Sequence, residues 1–186
     1  MIKKYVTGLL AATALAGTAW ATSATDASEI VTSVSSDIET YLSDNTLDQA
    51  EANELLDYIA VEEVGKFALG RAGRDASAED MAAFQASFKN YLGEQLQIHL
   101  GELSGATFEV LDTVERATDD VIVETKVSGA GADVDQVNWR LQLIGGDWKV
   151  VDVEAMGLWL AIEQRAQFDA KLDANGGDIK SLAAEL

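Results

Sequence analysis

An α+β fold is predicted from three features of the 186-residue sequence. Apolar residues recur at helical spacing from Ser28 to Gly101, alternate at period two from Phe108 to Glu154, and return to helical spacing after Gly157. Helices, then strands, then helices exclude the alternating pattern of a parallel α/β sheet. The predicted sheet is an antiparallel, four-stranded meander with one face wet and one covered by amphipathic helices.

The elements follow in order. From Ser28 to Leu42, Ile30, Val34, Ile38, Tyr41 and Leu42 share one helix face and leave Glu29, Asp37 and Glu39 outside. Thr46 and Gln49 have the spacing of a capping box, which starts a second helix carrying Leu47, Leu55, Leu56 and Ile59. Val61, Val64, Phe67 and Ala68 make a short third helix ending near Gly70, and Arg71 to Ala76 reads as a loop. Ser77 and Asp80 cap the longest periodic run, in which Met81, Phe84, Phe88, Tyr91, Leu92, Leu96 and Leu100 form a wide apolar stripe.

Four alternating runs follow, through Phe108 and Val110, Val121 to Val127, Val137 to Leu143, and Trp148 to Glu154. The last two are joined by Gly145-Gly146-Asp147, a hairpin signal. Alternation places Val123, Val127, Trp139 and Leu141 on one face, opposite Phe84, Phe88, Tyr91 and Leu96 of the long helix. After Gly157, Leu158, Ile162, Ala166 and Leu172 form a helical stripe, and Gly176-Gly177-Asp178 introduces a short last helix with Ile179 and Leu182.

At the start of the chain, Lys3 and Lys4 precede an apolar run from Val6 to Ala16 and a small-x-small site, Ala19-Trp20-Ala21. Residues 1–21 therefore read as a cleaved secretory leader, since the run is shorter than the ~20 residues a membrane span needs. Residues 22–186 then form one domain. The whole chain carries 13 Lys and Arg against 32 Asp and Glu, a net charge of −19. Loss of Lys3 and Lys4 takes −19 to −21. Such a surface lacks the basic footprint of a nucleic-acid binder.

With no Cys and one His, the chain builds no disulfide, thiolate metal site or multi-histidine centre. Gly129-Ala130-Gly131 lies between strands and lacks the helix N-terminus of a phosphate cradle. The acidic pairs Glu62-Glu63, Asp119-Asp120 and Asp133-x-Asp135 lack the spacing of a calcium loop, as does Asp173-Ala174-Asn175. His99 on the long helix, with Glu102 nearby, is the candidate acid–base pair of an exported enzyme.

Val61-Glu62-Glu63-Val64-Gly65-Lys66-Phe67-Ala68-Leu69-Gly70-Arg71, with Arg74 and Ser77, resembles the Phe-Ala-Leu-Gly-Arg segment of the toluene-tolerance or MlaC family of phospholipid carriers. Phe84-x-x-x-Phe88-x-x-Tyr91-Leu92, Trp139-Arg140-Leu141, Trp148 to Val153, Gly157, Arg165, Phe168 and Gly176-Gly177 follow in family order. Leu158-Trp159 stands where members often carry a small-hydroxyl pair. The resemblance implies a periplasmic lipid carrier without catalysis, metal or cofactor. Its helices and curved antiparallel sheet would enclose an apolar pocket for phospholipid acyl chains, and it would shuttle the lipid between an inner-membrane ABC transporter, through its substrate-capturing subunit, and an outer-membrane lipoprotein complex. No stable membrane insertion is expected. With the resemblance, the expected pocket residues are Phe88, Tyr91, Leu92, Val123, Val127, Trp139, Leu141, Met156 and Trp159, with strand faces taken from alternation. A hopanoid is the alternative ligand, favoured if Trp159 flattens the pocket. Arg71 and Arg74 are cations available to a lipid phosphate or an acidic partner.

Overall fold

A long helix laid against one face of an antiparallel meander organises the first half of the fold. The computed structural model describes residues 18–129 and 134–186, with side-chain surroundings from residue 24 onward. Most of the expected leader, residues 130 and 131 of the glycine-rich connection, and Asp133 lie outside the described residues.

Helix α1 (Thr18–Tyr41) starts ten residues before the apolar pattern does. Its Ala27, Val31, Val34 and Ile38 recur at three- and four-residue spacing and are all buried. Two phenols clamp α1 to α2 (Gln49–Leu56): Tyr41 donates to Glu54 at 2.5 Å and Tyr58 donates to Asp37 at 2.7 Å. Both phenols are pushed up to about 12, chiefly because ionisation would forfeit the hydrogen bond to the carboxylate.

The capping box sits two residues later than expected. Asp48 accepts from the amides of Ala50 and Glu51, and Glu51 reaches back to the Asp48 amide, while Thr46 binds Asp44 instead. A carboxylate at the N-cap also meets the positive end of the helix dipole. The connection after α2 runs along the sheet: the Ala60 amide donates to the Val150 carbonyl at 2.9 Å, and the Val150 amide to Tyr58 at 2.9 Å. It shields part of a sheet edge.

Helix α3 (Val61–Asp75) corrects the expected loop from Arg71 to Ala76. Gly70 takes φ 54° and ψ −120°, which kinks the helix without ending it. Helix α4 (Ala78–Gly101) starts as expected, with the Ser77 hydroxyl accepting from the Asp80 amide at 3.1 Å.

Strands β1 (Ala106–Ala117), β2 (Asp120–Gly129), β3 (Gln136–Ile144), β4 (Asp147–Ala155) and β5 (Leu158–Trp159) form an antiparallel sheet in sequence order. The sheet thus has five strands, not the expected four. The fifth pairs Glu154 with Trp159 and Ala155 with Leu158, so the last long helix starts at Leu160 rather than Gly157. Bulges interrupt β1 at Leu111 and Arg116, and β4 at Val151. Each adds local twist and bend, and each resets the alternation.

The bulge at Val151 sets Asp152 opposite Arg140. The Asp152 carboxylate accepts from the amides of Val153 at 2.8 Å and Ala161 at 2.9 Å, which roots the first turn of α5 (Leu160–Asn175) on the sheet. Burial pushes this carboxyl above its ordinary range. The α5 stripe also differs from expectation: Ala161, Phe168 and Leu172 are buried, whereas Leu158 and Ile162 are each 56% exposed. Helix α6 (Ile179–Ala184) closes the chain, capped by Asp178 and tied to the start of α4 by Lys180 against Glu79 and Asp80 at 3.2 Å.

Arg140 grips Asp120 through two hydrogen bonds, of 3.1 and 2.6 Å, and holds its carboxyl below the usual carboxylate range. A carboxyl lowered on folding stabilises the protein above its unfolded value of 3.8, and that contribution is lost as pH falls through the folded value. Asp120→Asn should therefore cost about 1–2 kcal/mol at neutral pH by urea unfolding. The gap to the unsubstituted protein should narrow in acid below the ordinary carboxylate value. A gap independent of pH would show that the ion pair is not what Asp120 contributes.

Candidate lipid-binding site

The apolar interior is divided in two. One core lies between α1 and the sheet and holds Val31, Val34, Ile38, Leu55, Val121, Val123, Val127, Val137, Trp139, Leu141, Trp148 and Val150. The other is helical and holds Ala68, Leu69, Phe84, Phe88, Phe168, Leu172, Ile179 and Leu182. Helix α4 contributes to both, with Phe84 and Phe88 in the helical core and Leu96 and Leu100 packed against the sheet core.

The nine expected pocket residues accordingly separate into three groups. Val123, Val127, Trp139 and Leu141 are gathered on the buried face of β2 and β3. Phe88, Tyr91 and Leu92 belong to the helical core, so α4 does not set its aromatic stripe on the sheet as the expected facing had it. Met156 is 72% exposed at the turn between β4 and β5, and Trp159 is half-buried at the N-cap of α5.

Key polar groups in each core are paired, although the Ser35 hydroxyl on α1 is buried without a partner. The Trp139 indole N–H donates to Thr125 Oγ1 at 3.0 Å, and that hydroxyl donates to the Val137 carbonyl at 2.9 Å. Thr125 is fully buried, and without this relay the indole N–H would be buried unpaired. The Trp139 ring meets Phe108 edge-on at 6.4 Å. On the helical side, Phe84 and Phe88 stack at 5.4 Å, and Phe168 meets them edge-on at 5.8 and 6.0 Å. Tyr91 donates to Gln164 at 2.8 Å, which fixes α4 to α5.

A cleft of about 540 Å³ opens where the two cores approach each other. Leu56, Ile59, Ala60 and Val61 from the α2–α3 connection, Gln85, Ala86 and Lys89 from α4, and Ile144 and Lys149 from β3 and β4 line it, with Asp57, Glu62 and Glu63. Ile59 packs against the sheet core and Val61 against the helical core, which places the opening at the seam. The Gln85 carboxamide donates to the Glu62 carbonyl at 3.0 Å, and its oxygen is buried without a partner. None of the nine expected residues lines this cleft. It is built mostly from element ends, where a periodic pattern carries no signal, and from Gln85, Ala86 and Lys89 off the apolar stripe of α4.

His99 is exposed on the last turn of α4 and pairs with Gln95 at 3.2 Å. Glu102 is exposed, and among the described residues no hydrogen bond joins it to His99. Among the described residues no group of three or more His, Cys, Asp or Glu side chains is placed to hold a metal ion, and no helix is long and apolar enough to cross a membrane.

The sequence pattern of the family described as MlaC protein matches residues 25–186. The toluene tolerance protein Ttg2D of Pseudomonas putida is 33% identical over 110 residues, covering 57% of this chain and 49% of that protein. This chain thus matches about half the length of that relative. A solved structure of a phospholipid-binding protein from Ralstonia solanacearum, in complex with a phospholipid, has the same fold: the TM-score is 0.73 at 22% identity, over 86% of this chain and 96% of that one.

The relay behind Trp139 yields a direct test. Thr125→Val keeps the volume near constant but strands the indole N–H, and should lower stability by about 1–3 kcal/mol in urea unfolding followed by tryptophan fluorescence. The double variant Thr125→Val, Trp139→Phe should recover part of that loss. No loss in the single variant would mean that the indole finds another acceptor.

Proposed function

The chain belongs to the MlaC protein family, and from that membership we propose that it is a periplasmic phospholipid carrier that holds acyl chains between its two apolar cores. Residues 1–21 serve as the export leader in this reading and are removed. The observation that carries it is the divided interior, with an open, largely apolar cleft at the seam. A cleft of about 540 Å³ is of ligand size. Lys89 on its rim is a cation suited to a lipid phosphate, and Lys149 beside it donates to the Asp57 carbonyl at 2.7 Å.

Each methylene withdrawn from water contributes about 0.8 kcal/mol, so a two-chain lipid needs a dry enclosure throughout its transit. The sheet wall of Val123, Val127, Trp139 and Leu141 and the helical wall of Phe88, Tyr91 and Leu92 are the two apolar surfaces available to the chains. Parting them along the seam lengthens the cleft without unpairing a strand. Met156 and Trp159 stand at the rim in this reading. An inner-membrane ABC transporter with its substrate-capturing subunit and an outer-membrane lipoprotein complex are the proposed donor and acceptor. Phospholipid binding by the Ralstonia solanacearum protein of the same fold supports the ligand class.

Native mass spectrometry of the mature protein, purified from periplasm without detergent and followed by organic extraction, tests the reading. Phospholipid near one per protein is expected. A hopanoid in its place would keep the mechanism and change the ligand, whereas a persistent apo mass after incubation with phospholipid vesicles would overturn the proposal. Ala86→Trp fills the cleft from an exposed helical position, so the variant should fold and lose several-fold in bound lipid, with unchanged far-ultraviolet circular dichroism.

A further inference from the structure

Exposed apolar side chains are concentrated in one stretch of chain. Residues 155–162, Ala-Met-Gly-Leu-Trp-Leu-Ala-Ile, contain no charge, although charged residues make up 24% of the sequence. Met156 is 72% exposed, Leu158 56%, Leu160 52% and Ile162 56%. Ala155 pairs with Leu158 across a two-residue turn in which Met156 and Gly157 take φ 52° and 78°. Left-handed backbone at both turn positions favours Asn, Asp and Gly at the first of them. A methionine there gains nothing locally, and the strained turn holds a long, flexible thioether at the tip of a prong.

The ground behind the prong carries arginines, each beside an acid, whereas carboxylates outnumber cations over the chain as a whole. Arg165, one turn after Ile162 on α5, lies over the ring of Phe67 at 5.4 Å, and Phe67 is 43% exposed. Arg165 also packs on Gly70, where an added Cβ would come within 2.9 Å of its guanidinium. Arg71 and Arg74 follow on the same kinked helix, which brings three of the five arginines to this side. Asp75 lies 3.9 Å from Arg71 and Asp169 lies 3.8 Å from Arg165, and Glu163 is exposed beside Ile162, so the charges partly offset one another.

We propose that the β4–β5 hairpin and the first turn of α5 make a reversible contact with a phospholipid bilayer surface. Met156, Leu158, Leu160 and Ile162 enter the head-group boundary, and Arg165 and Arg71 meet lipid phosphates. An apolar prong backed by arginines is the chemistry that lies on such an interface. The net charge of −19 does not prevent it, because at physiological ionic strength fields are screened over ~8 Å and the local surface governs approach. The patch is also small. A stable protein interface takes roughly 20–30 residues a side, several times more than this prong offers. The contact does not depend on the carrier reading, although it would bring a carrier to its lipid source.

Flotation with vesicles of phosphatidylethanolamine and phosphatidylglycerol, at low and physiological salt, tests this. At physiological salt the unsubstituted protein should co-float, and Leu158→Ser with Ile162→Ser should reduce the bound fraction about tenfold or more. Arg71→Gln with Arg165→Gln should weaken binding to these vesicles more than to pure phosphatidylcholine, and more at low salt than at high. Absence of flotation by the unsubstituted protein overturns the proposal, as does flotation indifferent to Leu158 and Ile162. Absence of flotation, with the serine variants instead losing affinity for a purified lipid-transporter subunit, would reassign the prong to a protein partner. Native mass spectrometry of the serine variants keeps the two readings apart, since neither residue is in the proposed pocket walls and bound lipid should persist.

Discussion

The arrangement depends on α4 serving two apolar interiors at once. Its first three turns carry Phe84 and Phe88 into a helical core closed by Phe168, and its last two carry Leu96 and Leu100 to the core under the sheet. The stripe drifts around the helix over this distance, since an α-helix repeats at 3.6 residues rather than at a whole number. Close approach is secured where the other helices cross it. At Gly65 of α3 an added Cβ would come within 3.0 Å of the Phe88 ring, and at Gly93 of α4 it would meet Gln49 at 3.3 Å and Leu56 at 3.7 Å. One rigid rod between two packed bodies leaves their boundary as the place where volume can open without breaking either.

Charge imbalance shapes the polar framework in a similar way. With 32 carboxylates and 13 cationic side chains, most acids cannot be neutralised by ion pairs. The fold employs several as acceptors for neutral donors. Glu39 takes the Phe108 amide at 2.8 Å, Asp37 and Glu54 take tyrosine hydroxyls, and Asp48, Asp152 and Asp178 take helix-start amides. The tyrosine, Glu39 and Asp152 bonds tie elements together, and the Asp48, Asp152 and Asp178 bonds pair amides that a helix start would otherwise leave without an acceptor. The better-protected ion pair, Arg140 with Asp120, sits on the face of the sheet opposite the core and cross-links β2 and β3. The exposed pairs elsewhere are worth little individually.

Much of this was legible in the sequence. The order of helices and strands, the Ser77 cap, the inward set Val121, Val123, Val127, Val137, Trp139 and Leu141, and the family all followed from pattern and resemblance. What was not legible has local physical causes. Asp48 outcompeted Thr46 as the N-cap because a carboxylate accepts two amides and carries charge. Gly70 reads as an end, since glycine breaks helices, but Arg165 packs beside it and the chain resumes helical geometry for another turn. The bulge at Val151 inserts one residue, and no periodic reading of Trp148 to Glu154 registers an insertion. Leu158 and Ile162 sit at helical spacing yet face outward, because a two-residue strand precedes the helix and Asp152 fixes the first turn's rotation.

The hardest feature to read was the site itself, and the reason is general. A side chain that lines a cavity and one that fills a core obey the same periodicity, since each points away from water toward an apolar neighbour. They differ in the volume between facing walls, which no stripe encodes. Here that volume is set by two non-local facts: the phase at which α4 passes from one core to the other, and the course of Tyr58 to Ala60 along β4. Val123, Trp139 and Phe88 were identifiable as buried apolar residues from their own spacing. That they belong to different cores was not, because the spacing within each element is silent about which element lies opposite. Sites made at a seam between cores therefore escape stripe analysis, whereas sites made on one face of a sheet do not.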